Sequence, residues 1–107
     1  MPRILKYGFY IAFLWGLIGC TPSERAIEIS QLDTNVRAGE PLYQTLCSGC
    51  HGTQGRGRIG PNLVAHIEHH DIEEFADYIL EGPGSMPSFG YLDNQEIADI
   101  IAYIKTL

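Results

Sequence analysis

The stretch from Gly49 to Gly60 holds five of the chain's twelve glycines, and it overlaps the run Cys47-Ser48-Gly49-Cys50-His51. Glycine loses more backbone freedom on ordering than any other residue, so a segment this rich in it is neither helix nor strand. It is a loop, and something other than regular hydrogen bonding must hold it. The chain of 107 residues is one domain's worth at most. With 45% hydrophobic and 19% charged residues, it is not a disordered chain. Its formal charge of −6 excludes a general nucleic-acid binder, which would present a basic surface.

The cysteines narrow the chemistry. Cys20, Cys47 and Cys50 make an odd count, which speaks against a simple disulfide framework. Cys-x-x-Cys-His is the attachment pattern of c-type haem. Two thiols three positions apart can each add to one vinyl group of the same porphyrin, and His51 is then delivered beneath the iron as proximal ligand. A zinc site would need four ligands, and no second cysteine pair exists. A redox dithiol would need a βαβ context that this sequence lacks.

The N-terminus reads as an export signal. Arg3 and Lys6 precede thirteen uncharged residues, Tyr7 to Gly19. A membrane span needs about 20 apolar residues, so the layout fits a secretory leader better than a permanent span. Leu17-Ile18-Gly19-Cys20 resembles the lipobox of bacterial lipoproteins. The resemblance implies a signal peptide at 1–19 that is cleaved and a lipid on Cys20, with an uncleaved signal anchor ending near Pro22 as the alternative. Either arrangement puts the remainder on the extracytoplasmic face of a bacterial membrane. Losing Arg3 and Lys6 leaves five basic against thirteen acidic side chains, a formal −8. Residues 20–35 read as a lipid-anchored tether, because Thr21 to Thr34 is polar and lacks a convincing amphipathic period. As a flexible coil it would reach roughly 20 Å. Ile27 and Ile29 leave a short strand open as an alternative.

Residues 36–107 read as the functional domain. Glu40 to Leu46 forms a short helix with Pro41 tolerated in its first turn. Here the chain resembles the class I mono-haem cytochrome c family: Gly39 and Tyr43 ahead of Cys47, Gly52 after His51, and the run Gly60-Pro61-Asn62-Leu63 sit where that family's pattern has them. The resemblance implies an all-α fold, a small cytochrome c domain of three to four short helices wrapped around one covalently bound haem c. It also implies that Met86, in Gly82-Pro83-Gly84-Ser85-Met86-Pro87-Ser88-Phe89, is the distal iron ligand. Two prolines and two glycines keep such a segment rigid and non-helical. Pro61, Arg56 and Arg58 are further cofactor-binding candidates, the arginines through a haem propionate or, on the plainer reading, as solvated loop side chains. Gly55-Arg56-Gly57-Arg58-Ile59-Gly60 matches a dinucleotide-binding pattern by letter only, since neither strand nor helix start flanks it.

Two helices follow. One is capped by Asp71 with Glu74 as its capping box, carries Ile72, Phe75, Ile79 and Leu80 as an apolar stripe, and ends at Gly82. The other has Asp93 and Glu96 as its box and Ile97, Ile100, Ile101 and Ile104 at helical spacing. The family resemblance sets this last helix against the one before the haem motif, with Tyr103 or Ile100 near Gly39 and Tyr43. His66, His69 and His70 read as a solvated loop beside acidic neighbours, with His66 and His70 as a potential adventitious metal pair. Nine carboxylates between 62 and 107 face only Lys105.

With both axial positions filled, the expected function is single-electron transfer between respiratory-chain partners by Fe(III)/Fe(II) cycling, with no catalysis of its own. The partners would be redox proteins, a membrane oxidoreductase or a terminal reductase or oxidase. The alternative is a haem peroxidase or gas-binding protein with a labile Met86.

Overall fold

The computed structural model describes residues 21–107. The leader and Cys20 lie outside the described residues. Six helices and no strand occur among the described residues: α1 (Glu24–Ser30), α2 (Val36–Leu46), α3 (Ser48–His51), α4 (Leu63–Ile67), α5 (Ile72–Glu81) and α6 (Asn94–Ile104). The all-α expectation holds. The count exceeds three to four because α1 was unforeseen and α3 and α4 are each little more than one turn.

The core forms where α2 crosses α6. Asn35 caps α2 by accepting from the backbone N–H groups of Arg37 and Ala38. The helix therefore starts four residues earlier than expected, and Pro41 lies inside it rather than in its first turn. A methyl group on Gly39 would stand 1.9 Å from the Asp99 carbonyl oxygen, so the two backbones meet there with no room for a side chain. One turn on, fully buried Tyr43 packs its ring against Tyr103, with centroids 5.3 Å apart. The isoleucines 97, 100, 101 and 104 of α6 are all buried. Asp99, one of the nine carboxylates between 62 and 107, is buried too: it accepts from Asn35 N–H at 2.8 Å and from the Gln95 amide at 2.9 Å. The buried charge is thus hydrogen-bonded and ties the start of α2 to α6.

The coil expected over 21–34 is corrected. Ser23 caps α1, accepting from Ala26 N–H at 3.1 Å. Ala26 and Ile29, three apart and so on one helical face, are 0% and 1% exposed and join the core between α5 and α6. Burying Ile29 alone contributes about 2 kcal/mol. The apolar pattern is faint in the sequence because it uses small Ala26, while Ile27 is exposed.

The two capping boxes part company. At α6 both halves form: Asp93 accepts from Glu96 N–H at 2.8 Å and Glu96 from Asp93 N–H at 3.1 Å. At α5 Asp71 is the N-cap residue, but its side chain caps nothing. Glu74 instead bonds His70 at 3.0 Å and accepts from the Tyr78 hydroxyl at 2.9 Å. Those two, His70 first, hold its carboxyl below the ordinary range. Gly82, left-handed at φ 67°, ends α5 as expected.

Candidate functional site

Cys47 ends α2, and the next four residues form the single turn α3. Both Cys50 and His51 donate their backbone N–H to the Cys47 carbonyl, at 3.2 and 3.0 Å. Residues three and four apart on one helical turn share a face, so the turn gathers both sulfurs and the imidazole on one side. The two thiols are free. Burial, and then the neighbouring Cys50, push the Cys47 thiol up to about 11, so before any reaction it is protonated at neutral pH.

The glycine-rich loop folds back over this turn. Gly57 N–H donates to the His51 carbonyl at 2.8 Å, and Gly60 N–H to the Cys50 carbonyl at 2.7 Å. Gly60 passes directly over the imidazole: a Cβ there would lie 2.8 Å from Cε1 and 2.9 Å from Nδ1 of His51. One residue later the Pro61 carbonyl stands 2.9 Å from His51 Nδ1. A carbonyl only accepts, so Nδ1 carries a proton, and in the neutral ring the lone pair is then on Nε2. The ring is buried, at 7% exposure, and locked in the tautomer that can bind a metal through Nε2. The dinucleotide-like letters 55–60 are this loop, as the sequence context required.

Tyr43 supports the turn from below. Its hydroxyl donates to the Gly52 carbonyl at 2.7 Å, and burial, then Cys47 and Tyr103, push its phenol up to about 12. Gln44 bonds both the Thr53 carbonyl, at 3.1 Å, and the Tyr103 hydroxyl, at 3.2 Å. Tyr103 therefore lies near Tyr43 and Ile100 near Gly39, as the resemblance implied.

Met86 is half-buried against the core, in a non-helical segment pinned by Phe89 N–H on the Ile79 carbonyl at 2.9 Å and Ser88 Oγ on the Leu80 carbonyl at 2.6 Å. The donors fit covalent haem c: two unlinked thiols on one face, an imidazole with a free Nε2, and a thioether. Among the described residues no group of three or more His, Cys, Asp and Glu side chains could hold a metal ion alone, so no competing all-protein centre occurs there.

The sequence model of the family described as "Cytochrome C oxidase, cbb3-type, subunit III" matches residues 34–104. Cytochrome c-551 of Bacillus subtilis is 33% identical over 104 residues, covering 95% of this chain and 92% of the relative. The chain belongs to the class I mono-haem cytochrome c family. This cytochrome is also 31% identical over 81 residues to the cytochrome c-553-like protein of Synechocystis, covering 75% of this chain and 76% of the relative. Among solved structures it resembles cytochrome cL from Methylophaga aminisulfidivorans, with TM-score 0.61 and 26% identity over 78% of this chain and 68% of the other. It carries covalently bound haem c and acts as an electron carrier.

Other candidates separate. Arg58 donates to the Gly49 carbonyl at 3.3 Å and is exposed, and Arg56 is exposed in the same loop. His66 lies in the last turn of α4 and stacks on His70 with centroids 5.5 Å apart, while His69 is exposed in the turn between. That stretch holds a short helix where a loop was expected. Pro61, a candidate from the sequence, meets His51 through its backbone carbonyl, a role that leaves no side-chain signature. One residue near the site has no place among the sequence candidates. Arg25, on α1, reaches the segment behind Met86. Ser23 after a proline, with apolar residues at 26 and 29, was the signal for its helix.

Proposed function

We propose that Cys47 and Cys50 hold the haem by thioether bonds, that His51 and Met86 ligate its iron, and that this cytochrome is a membrane-tethered carrier of single electrons between redox proteins outside the cytoplasm. The haem supplies Fe(III)/Fe(II) cycling when bound. The observation that supports the reading is the His51–Pro61 hydrogen bond, which occupies Nδ1 and leaves Nε2 as the ring nitrogen available to a metal. Pro61 thereby acts as a positioning residue, through its carbonyl rather than its ring. Arg58 is the arginine we assign to a propionate, on the strength of its bond inside the attachment motif; Arg56 has only its exposure in favour. With imidazole and thioether both engaged, no coordination position stays open for a substrate at the iron, which argues for transfer through the haem edge.

Only Thr21 and Pro22 separate Cys20 from Ser23, the cap of α1. If Cys20 bears the lipid, the folded domain begins almost at the membrane surface, on a far shorter leash than a fourteen-residue coil. The family model's description as an oxidase subunit supports a respiratory membrane complex as partner.

Absorption spectra of ferric and ferrous holoprotein, with and without carbon monoxide, test the site. A methionine–iron charge-transfer band with only slow carbon monoxide binding is expected, and Met86→Ala should abolish the band and make binding fast. Ready carbon monoxide binding by the unsubstituted protein would overturn the carrier reading in favour of a peroxidase or gas-binding protein.

A further inference from the structure

The segment carrying Met86 is fastened on two sides. On one side lie the bonds of Phe89 and Ser88 to the end of α5. On the other lies a single side chain, Arg25. Its Nη1 donates to the Gly90 carbonyl at 2.7 Å, its Nε to the Asn94 side-chain oxygen at 2.7 Å, and its Nη2 to the Leu92 carbonyl. All three acceptors are neutral and fall within five residues, between the Met86 segment and the start of α6. A planar guanidinium reaches three such acceptors at once, which an ammonium does not. Arg25 is itself held firmly. Ala26 and Ile29 seat α1 in the core, Ser23 bonds Asp77 of α5 through its N–H and hydroxyl, and Asn94 donates to Glu28 at 3.2 Å. This helix precedes residues 34–104, the part that matches the family model.

We infer that Arg25 is a positioning residue for Met86, and that α1 is a strap suppressing the state in which the sulfur has left the iron. The inference rests on Met86 being the distal ligand. Between Gly82 and Leu92 only Phe89 and Leu92 are buried; Pro83, Gly84, Ser85, Pro87 and Ser88 are exposed. A segment with so little buried surface opens at low cost, and its hydrogen bonds then set its opening equilibrium. Swinging the sulfur away carries the Phe89–Leu92 exit with it and breaks the Arg25 contacts. Hydrogen bonds from a charged donor are the stronger kind, so their loss falls mainly on this local opening.

The test uses full-chain holoprotein and three readouts: the rate of carbon monoxide binding to the ferrous form, the ferric methionine–iron band, and Tm. Arg25→Gln should bind carbon monoxide at least about tenfold faster and lose the band at a lower temperature. Arg25→Lys should fall between. Ile101→Val, a core truncation, should lower Tm comparably yet leave the carbon monoxide rate unchanged. If Arg25→Gln binds carbon monoxide no faster than Ile101→Val does, Arg25 is merely structural and the inference fails. Met86→Ala separates the two ideas. Should it open the iron while Arg25→Gln does not, only the strap is wrong; should it keep the band and exclude carbon monoxide, the ligand assignment fails and takes the strap with it.

Discussion

His51 donates its Nδ1 proton to the Pro61 carbonyl at 2.9 Å, and Gly60 gives the ring the space to do so. A methyl group at position 60 would meet Cε1 at 2.8 Å and Nδ1 at 2.9 Å. Gly60→Ala should therefore push the imidazole off the carbonyl, costing about 1–3 kcal/mol of holoprotein stability as an overpacked site does. Guanidinium unfolding of the ferric protein measures the loss. The ratio of haem to protein absorbance should fall as well. An unchanged midpoint would mean that the ring has more freedom than this contact implies.

Gly39 sits where α2 and α6 touch backbone to backbone. Gly39→Ala gains about 1 kcal/mol of helix propensity. Against it stands a Cβ placed 1.9 Å from the Asp99 carbonyl oxygen and 2.5 Å from its carbon. Neither atom can rotate aside, so the helices must separate along a crossing that buries Tyr43, Ile97, Ile100 and Ile104. The clash wins, with a net loss of about 3 kcal/mol. The denaturant midpoint should drop at unchanged slope, since the surface exposed on unfolding is the same.

What the sequence revealed was chiefly what depends on local spacing. Cys47, Cys50 and His51 share a turn because three- and four-residue intervals dictate it, and the Asp93–Glu96 box and the Gly82 stop are equally local. What it hid depends on competition or on backbone. Glu74 had the right spacing from Asp71 but found better partners one turn either side, in His70 and Tyr78. The Pro61 carbonyl belongs to a residue whose side chain says nothing of its role. Ala26 and Ile29 bury one face of a seven-residue helix, too short for a period to emerge from its polar surroundings, and such a helix depends on tertiary docking.

The haem should be a condition of folding as well as of function. The domain is small enough that its core is marginal without a staple. Its loop from Gly52 to Asn62 has no regular structure, and it folds back onto the turn that bears the attachment motif. Full-chain Cys47→Ala/Cys50→Ala protein, which cannot form thioether bonds, should lose most of its helical circular dichroism. A native helical spectrum in that variant would show that α1, α2, α5 and α6 suffice alone.

Tyr43 makes stability fall in alkali. Its phenol is pushed from 10.0 up to about 12 in the folded state, burial being the largest cause. Between those values the folded protein retains a proton that the unfolded chain releases, so stability declines as pH rises from 10 toward 12 and is undiminished by this group below 10. Tyr43→Phe removes the titration and should flatten that decline. It also deprives the Gly52 carbonyl of its 2.7 Å partner, lowering stability at neutral pH by about 1–3 kcal/mol. Unfolding midpoints of both proteins between pH 7 and 12 should therefore start apart and converge as the solution becomes alkaline. Parallel curves would assign the alkaline loss to another group.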